Sequence, residues 1–325
     1  MHDSQLKKPE RKVQRSFSKL LIMLAFLLAA RDSRDRAPDR VPMPERTVAV
    51  QFAPLDLGAA AGPVRLSGAW QVSAADPRFF GLSALVTSPG QPLLAVSDSG
   101  VLVDLPRPGT GTTVRLRDLP AGPGFPTFKK YRDSEALLAE PAGMTVTFEF
   151  RHSLWTYPVG GKPRRFALPS AKWSNNAGIE AMVRWGPDSL MLMPEDEDFI
   201  LLFRAGGGSR RVPLSGRTGG IADATRLPDG RIVVAVREIG PGGISNRLAW
   251  LQREGAGFRL VGFAHLPLGP LDNVEGLAAE PMPGGATRLW AVTDNDGWRR
   301  TLLLRMELTA ESPRRDANGQ SGPRK

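Results

Sequence analysis

The feature that most constrains the fold of this chain is a hairpin pattern that recurs five times. In each copy a segment rich in small residues leads into a short apolar run, a turn with Gly or Pro follows, and a second apolar run ends in charged residues. The copies begin at 81–85, 133–137, 178–181, 220–224 and 273–277. Short apolar runs bounded by Gly, Pro and Asp are typical of β-strands. The sequence therefore predicts a series of repeated hairpins.

The spacing of the copies predicts the architecture. The acids near their starts, Glu135, Glu180, Asp223 and Glu275, are 45, 43 and 52 residues apart, and Ser83 holds this position in the first copy. A third apolar run follows in every copy and a fourth in three of them. A four-stranded unit every 40 to 50 residues or so is typical of a propeller blade. We predict an all-β fold, a single β-propeller of five or six four-stranded blades.

The N-terminal sequence indicates export. Six basic residues between positions 7 and 19 precede the apolar run 20–30, which is the pattern of a signal sequence. A helix of this length rises only about 16 Å, against a hydrocarbon core of about 30 Å. Cleavage and an uncleaved anchor both stay open, because Leu28 interrupts the usual small-residue cleavage site. We predict a location outside the cytoplasm, in the bacterial periplasm, with secretion or membrane tethering as alternatives.

The chain divides into terminal segments and one domain. We predict a signal peptide or N-terminal anchor over 1–30, a linker over 31–46, the propeller domain over 47–310 and a disordered tail over 311–325. Strands near 48–52 or 64–72 are expected to pair with the last repeat and close the ring, because open sheet edges need covering.

Composition excludes several classes of function. Residues 1–46 hold 11 basic and 6 acidic residues, whereas 47–310 hold 28 and 25, so the net charge of +10 lies largely in the termini. The domain has no basic stripe, and we predict no nucleic-acid partner. The absence of Cys excludes disulfides, thiolate nucleophiles and Cys-ligated zinc, and three His argue against a His-rich zinc site. We predict a monomer that binds a small molecule and meets a membrane only through an uncleaved N-terminal segment.

The acidic residues are expected to meet on one face. In an antiparallel hairpin the end of the second strand returns to the face where the first strand began. Clustered carboxylates are costly unless they are solvated, protonated or bound to metal, and calcium takes about six to eight oxygen ligands. The candidate calcium ligands are Asp98, Glu135, Glu195, Asp196, Glu238, Asp294 and Asp296. The candidate catalytic groups are Glu180, Asp223 and Glu275.

Candidate substrate-binding residues stand beside these acids. They are Arg151, Arg237, His152 and Trp298. An arginine can hold a phosphate through two parallel N–H donors, and a loop Trp can stack on a sugar or inositol ring. Structural alternatives stay open: the repeat acids can accept hydrogen bonds from backbone N–H groups between blades, the acidic run 195–198 can be a solvated loop, and the arginines can form surface salt bridges.

Four pairs of segments carry a resemblance to a known family. They are GLSAL with SDSG, DSEAL with FEFRHSLWTY, NNAGIEAM with PEDED, and VEGLA with TDND. In this order they resemble the phytase-like family, described as the esterase-like domain of phytase, a group of exported bacterial β-propeller proteins. The resemblance covers approximately residues 66–306.

The resemblance implies a chemistry. The name of the family implies phosphate-ester hydrolysis, and propeller phytases use calcium in an acidic channel mouth. By this resemblance we expect a calcium-dependent phosphoric ester hydrolase that acts on a small phosphate ester. Two departures are Ser83 in place of the repeat acid and His152 at a position that is acidic in other copies. Because a fold does not settle a function, a non-catalytic propeller that binds a ligand or a protein stays as an alternative, as does a propeller lactonase or lyase.

Overall fold

The computed structural model describes residues 42–60, 62–169, 178–204, 206, 208–296 and 299–308. Within these residues the chain forms 21 strands, two single-turn 3₁₀ helices (Lys129–Tyr131 and Pro283–Gly285) and no α-helix. The predicted all-β class is confirmed. No helix in this part of the chain is long and apolar enough to cross a membrane. The predicted signal segment, the C-terminal tail and Trp298 lie outside the described residues.

The strands are short and most are joined by tight turns. In chain order they are β1 (Arg46–Pro54), β2 (Val64–Ala74), β3 (Leu82–Val86), β4 (Leu93–Ser97), β5 (Val101–Leu105), β6 (Thr113–Asp118), β7 (Ser134–Glu140), β8 (Gly143–Phe148), β9 (Ser153–Pro158), β10 (Arg164–Ala167), β11 (Ile179–Gly186), β12 (Ser189–Pro194), β13 (Phe199–Arg204), β14 (Gly208–Ser215), β15 (Gly220–Arg226), β16 (Ile232–Gly240), β17 (Gly243–Glu254), β18 (Gly257–His265), β19 (Asn273–Pro281), β20 (Thr287–Asp294) and β21 (Thr301–Leu308).

These strands form five consecutive antiparallel units. Units 1 to 4 are β3–β6, β7–β10, β11–β14 and β15–β18, and each pairs its strands in chain order. Unit 5 supplies only β19, β20 and β21 from this region and takes β2 as its fourth strand. Each predicted hairpin is therefore the inner half of a four-stranded unit.

The N-terminal strands join the two ends of the chain. Strand β2 pairs with β21 from Val64–Leu308 to Val72–Thr301, which confirms the expected pairing of residues 64–72 with the last repeat. Strand β1 pairs with β2 on one side and with β6 of unit 1 on the other, giving a nine-stranded sheet. Both edges that would otherwise stay open are thus covered.

The first strands of the units contact one another in a cycle: β3 lies against β7, β7 against β11, β11 against β15, β15 against β19, and β19 against β3. Five apolar clusters fill the spaces between neighbouring units, including the space between units 5 and 1, where Trp290 packs with Leu82 and Leu85. Burying each such side chain contributes about 1.5–3 kcal/mol. The first strands of the units have apolar neighbours on both sides, so their sequences are continuous apolar runs.

Candidate functional site

The candidate site lies on the face where the first strands begin and the second strands end, which we call the acidic face. The same backbone pairing occurs there in every unit. Asp98 N–H donates to the Gly81 carbonyl at 2.7 Å and Glu149 N–H to that of Asp133 at 2.9 Å. The equivalent residues that end the second strands, which we call strand-end residues, are Asp98, Glu149, Glu195, Arg237 and Asp294.

A β-bulge near the start of every first strand places a second set of side chains on this face. The extra residue of a bulge has no partner on the neighbouring strand, so its side chain is turned away from the regular alternation. The bulge residues are Ser83, Glu135, Glu180, Ala222 and Glu275, with Ala136 included in the bulge of unit 2. Three of the five units therefore contribute a glutamate at this position.

The bulges correct two parts of the predicted repeat. Asp223 was expected to be equivalent to Glu180, but the strand pairing places Ala222 there and Asp223 one residue further on, opposite Ala235. His152 was expected at the position that is acidic in other units, but Glu149 occupies it. The cause of the second error is a turn over 149–152, in which His152 takes a positive φ of 30° and its N–H donates to the Glu149 carbonyl.

In unit 2 the bulge residue, the strand-end residue and the backbone partner of the latter form a group of three carboxylates. Asp133, Glu135 and Glu149 bring one oxygen each to within 4.8 Å of the others. Burial raises the pKa of Glu135 well above its ordinary value, with repulsion from Glu180 and Asp133 adding to it. Burial also raises the pKa of Glu149 to about 8, together with the charge of Asp133. Three adjacent negative charges are therefore costly here, and protonation or a bound cation would each reduce that cost.

Lys129 stands beside this group. Its Nζ lies 2.9 Å from Asp98 Oδ2 and 3.4 Å from Asp133 Oδ1. Burial raises the pKa of Asp98 to about 6, although the Lys129 charge opposes the shift. The other carboxylate oxygen, Asp98 Oδ1, is buried and has no hydrogen-bond partner among the described residues. One ammonium group thus neutralises two acids only in part.

Arg237 is the one cation among the strand-end residues and bridges two units. Its Nη2 pairs with Glu195 of unit 3 and its Nη1 with Glu275 of unit 5. Burial raises the pKa of Glu275 to about 7, against the opposing effect of Arg237. Asn273 Nδ2 donates to Glu275 at 2.5 Å, while Asn273 Oδ1 is buried without a partner in the described part of the chain.

Glu180 lies beside this arginine bridge without a hydrogen bond to it. The side chain is buried, and desolvation raises its pKa well above the ordinary value, with repulsion from Glu275 and Glu195 adding to the shift. The charge of Arg237 opposes this shift. The acidic face therefore contains acids of very different proton affinity within one site.

Asp294 and Asp296 form a second acidic pair. Burial raises the pKa of Asp294 to about 9, together with a hydrogen bond to Asp296 and the charge of that residue. Asp296 is exposed, has a positive φ of 45° and lies 3.2 Å from Arg299. These aspartates are close enough to Asp98 for its charge to contribute to the shift.

The remaining predicted residues lie at the edge of the face or outside the site. Asp196 is 67% exposed, and Glu238 pairs with Arg247 at 2.9 Å. Arg151 is exposed and stacks on the Tyr131 ring, 4.7 Å from its centroid. Burial lowers the pKa of His152. Asp196 and Glu238 line the same cavity as Arg237, and none of these residues belongs to the carboxylate group of unit 2.

Asp223 serves a structural role. It is buried between units 4 and 5, where Leu277 N–H donates to its Oδ2 at 2.6 Å and Ala224 N–H donates to its Oδ1 at 2.7 Å. Desolvation raises its pKa, and these hydrogen bonds oppose the shift. This geometry is the backbone-accepting role that the sequence left open for the repeat acids.

A cavity of about 810 Å³ opens beside the Arg237 bridge. It lies between the acidic run that includes Glu195 and the long β16–β17 hairpin, whose turn at 240–243 is rich in glycine. Its volume suits a small molecule. The acidic face therefore offers space for a ligand beside its only strand-end cation.

The repeat and the acidic face define a class: an all-β protein built from five hairpin-based units with a partly buried carboxylate site. The profile of the phytase-like family, described as "Esterase-like activity of phytase", matches residues 77–297. This segment is more than half of the chain and contains the first strand of every unit. The chain belongs to the phytase-like family.

Several solved structures are similar at low identity. A streptogramin B lyase is 8% identical, with a TM-score of 0.42, over 80% of this chain and 98% of that chain. A catalytically inactive virginiamycin B lyase from Staphylococcus aureus, solved with quinupristin, is 9% identical, with a TM-score of 0.44, over 80% of this chain and 99% of that chain. The WD40 β-propeller domain of Doa1 is 12% identical, with a TM-score of 0.39, over 78% of this chain and 74% of that chain. Similarities this distant carry no function. A comparison with curated proteins finds no match.

Proposed function

We propose that the five units are the blades of one five-bladed β-propeller, and that its acidic face binds calcium and hydrolyses phosphoric esters outside the cytoplasm. The blade count is supported by the closed cycle of first strands and by the five apolar clusters between neighbouring units. The pairing of β2 with β21 supports a single ring, because it joins the two ends of the chain.

The observation that carries the functional proposal is the convergence of Asp133, Glu135 and Glu149. Calcium binds oxygen at about 2.3–2.6 Å, so ligands on opposite sides of the ion are about 5 Å apart. The carboxylate oxygens of this group lie within 4.8 Å of one another. The donor set is all oxygen, which suits a hard cation and not a soft one.

A bound divalent cation would neutralise most of the negative charge of these three carboxylates. In its absence the pKa values of Glu135 and Glu149 are raised, first because burial disfavours the charged forms and second because nearby carboxylates repel them. A cation held by the three carboxylates removes that repulsion, so binding releases protons and stabilises the fold. When bound, calcium supplies Lewis-acid polarisation of a phosphoryl oxygen.

The neighbouring residues supply binding and proton transfer. The pKa of Glu275, about 7, suits a general acid or base near neutral pH. Burial raises the pKa of Glu180, which favours a role as the proton donor to a leaving oxygen. Lys129 and Arg237 keep positive charge on an otherwise acidic face and attract a phosphate anion. Asp223 is a structural residue in this proposal.

The proposal is tested by titrating the full chain with calcium and following thermal unfolding, with chelator as the reference. We expect a saturable rise in the midpoint with Kd on the order of 10⁻⁴ to 10⁻³ M, the range of extracellular calcium modules. Glu149→Gln should abolish the rise. Glu254→Gln removes an exposed acid on an outer strand and serves as the matched control.

Hydrolysis is measured as phosphate released from p-nitrophenyl phosphate and from inositol hexakisphosphate, with calcium and with chelator. Calcium-dependent release that Glu149→Gln and Glu275→Gln both remove supports the enzyme. A calcium-stabilised protein that releases no phosphate would leave the non-catalytic binding propeller as the function. If calcium does not change the midpoint at all, the metal site is wrong.

A further inference from the structure

The largest exposed apolar residues of the described chain are concentrated in one place. Six large hydrophobic side chains are exposed, and three of them are Phe125 (70%), Phe128 (41%) and Phe150 (37%). The other three are Val159 in the turn after β9, Ile239 near the end of β16, and Leu271 in the segment before β19. Exposed aromatic groups that cluster are a sign of an interaction surface.

Phe128 N–H donates to the Phe125 carbonyl at 3.3 Å, and Phe150 directly precedes Arg151 in the chain. Ring and cation contacts join Phe128 and Arg151 through Tyr131. The rings of Phe128 and Tyr131 are 5.7 Å apart, edge to face. Lys130 Nζ lies 6.0 Å and 5.4 Å from their centroids, and the Arg151 guanidinium lies 4.7 Å from that of Tyr131. We call the six residues of this surface the aromatic patch: Phe125, Phe128, Lys130, Tyr131, Phe150 and Arg151.

The patch borders the acidic face. Phe150 directly follows Glu149, and Lys130 directly follows Lys129, so both segments of the patch are continuous with residues of the candidate site. The described chain also begins nearby. Met43 N–H donates to Asp118, the last residue of β6, at 3.3 Å, and the segment that carries Phe125 and Phe128 follows β6 directly.

We propose that the aromatic patch docks the acidic face onto a membrane surface that contains anionic lipids. This goes beyond the proposed hydrolysis and does not depend on it. Phenyl rings enter the boundary between headgroups and acyl chains, while Lys and Arg beside them contact lipid phosphates. Each basic residue near an anionic surface adds attraction. Lys130 and Arg151, both exposed, give the patch this combination.

The chain before the patch supports a lipid surface over another occupant. The apolar run 20–30, predicted to be part of a signal peptide or an uncleaved N-terminal anchor, is followed by residues 31–41, and the described chain begins next to Asp118. Eleven residues span at most about 40 Å. A chain anchored by that run would hold the acidic face close to the lipid surface.

The carboxylates beside the patch oppose binding to anionic lipids. Lys129 weakens this opposition, because its Nζ lies 2.9 Å from Asp98 Oδ2 and 3.4 Å from Asp133 Oδ1. A cation bound at the site would weaken it further. Docking should therefore be stronger with calcium than with chelator.

A local probe tests the proposal in the full chain. The protein has no Cys, so Thr127→Cys, between two patch phenylalanines, can carry a single polarity-sensitive dye. Ala142→Cys, on the β7–β8 turn at the opposite end of the same unit, is the matched control. With vesicles of phosphatidylcholine and phosphatidylglycerol, we expect a blue shift at position 127 and none at 142.

Substitutions measure the strength of docking. Lys130→Ala and Arg151→Ala should each weaken partitioning about fivefold, and Phe128→Ala about tenfold. Val159→Ala, an exposed residue on the opposite face (78% exposed), should change nothing. Equal dye responses at 127 and 142 would mean that only the N-terminal segment binds, and would overturn the proposal. So would equal binding to vesicles without phosphatidylglycerol. No binding at all leaves a protein partner for the patch.

Discussion

Arg237→Met should destabilise the protein strongly, and more at high pH than at low pH. Among the described residues, only the Arg237 guanidinium contacts both Glu195 and Glu275, and the three side chains are 12–16% exposed. Removing one partner of a buried ion pair typically costs about 3–5 kcal/mol, because the remaining charge stays desolvated. We expect a loss of this size in the free energy of unfolding at about pH 9.

The pH dependence follows from Glu275. Its folded pKa, about 7, lies above the ordinary value of 4.5, so this group favours the folded state at low pH and loses that contribution as pH rises through 7. Without the arginine the folded pKa rises further. The variant then loses about 1.4 kcal/mol relative to wild type for each pH unit between 7 and its own raised folded pKa.

The assay is urea unfolding of the calcium-free protein at pH 6 and 9, followed by tryptophan fluorescence. Arg247→Met is the matched control: it removes an arginine from the neighbouring strand whose partner, Glu238, is 26% exposed, and it should cost less than about 1 kcal/mol at either pH. Adding Glu275→Gln to Arg237→Met should restore part of the loss. An equal loss at pH 6 and 9 would refute the assignment of this pH dependence to Glu275.

Two further substitutions test how the units are joined. Asp223→Ala removes the acceptor of the Leu277 and Ala224 N–H groups and should lower the free energy of unfolding in urea by about 2–4 kcal/mol. Calcium affinity should not change. A loss of calcium binding at full stability would contradict the structural role of Asp223. Gly276→Ala places a methyl group 2.9 Å from the Ala84 backbone and 2.6 Å from Val292, so we expect a loss of about 1–3 kcal/mol. Gly242→Ala, with open space around it, should be nearly neutral, and equal effects at the two glycines would contradict the close approach of β19 and β3.

Much of the fold could be predicted because the first strands are buried on both sides. Continuous apolar runs between Gly and Pro turns mark these strands in the sequence, and the regular spacing gives the four-stranded unit. Strand β14, with the sequence GSRRVPLS, was missed. It is an outer strand with several exposed residues and a proline, so neither period nor composition distinguishes it from a loop.

The site was harder to predict because a β-bulge shifts the register by one residue. A bulge has no clear sequence signature. An alignment of the units by their acidic residues alone therefore makes Asp223, instead of Ala222, equivalent to Glu180. Glu149 was missed because the turn after β8 presents His152 as the apparent equivalent. Lys129 lies in a connecting segment outside the repeat. Only the backbone pairing brings these residues together.

The pairing of β2 with β21 sets the order in which the molecule can fold. Arg65 and Glu307, which face each other across this pair, are 242 residues apart in the chain. Contacts of such long sequence separation form late and slow the folding rate. Strand β2 lacks its partner in unit 5 until residues 301–308 have been synthesised, so a nascent chain cannot complete this unit before β21 is available. For the export that we propose, such a delay would favour passage of the unfolded polypeptide through a translocation channel.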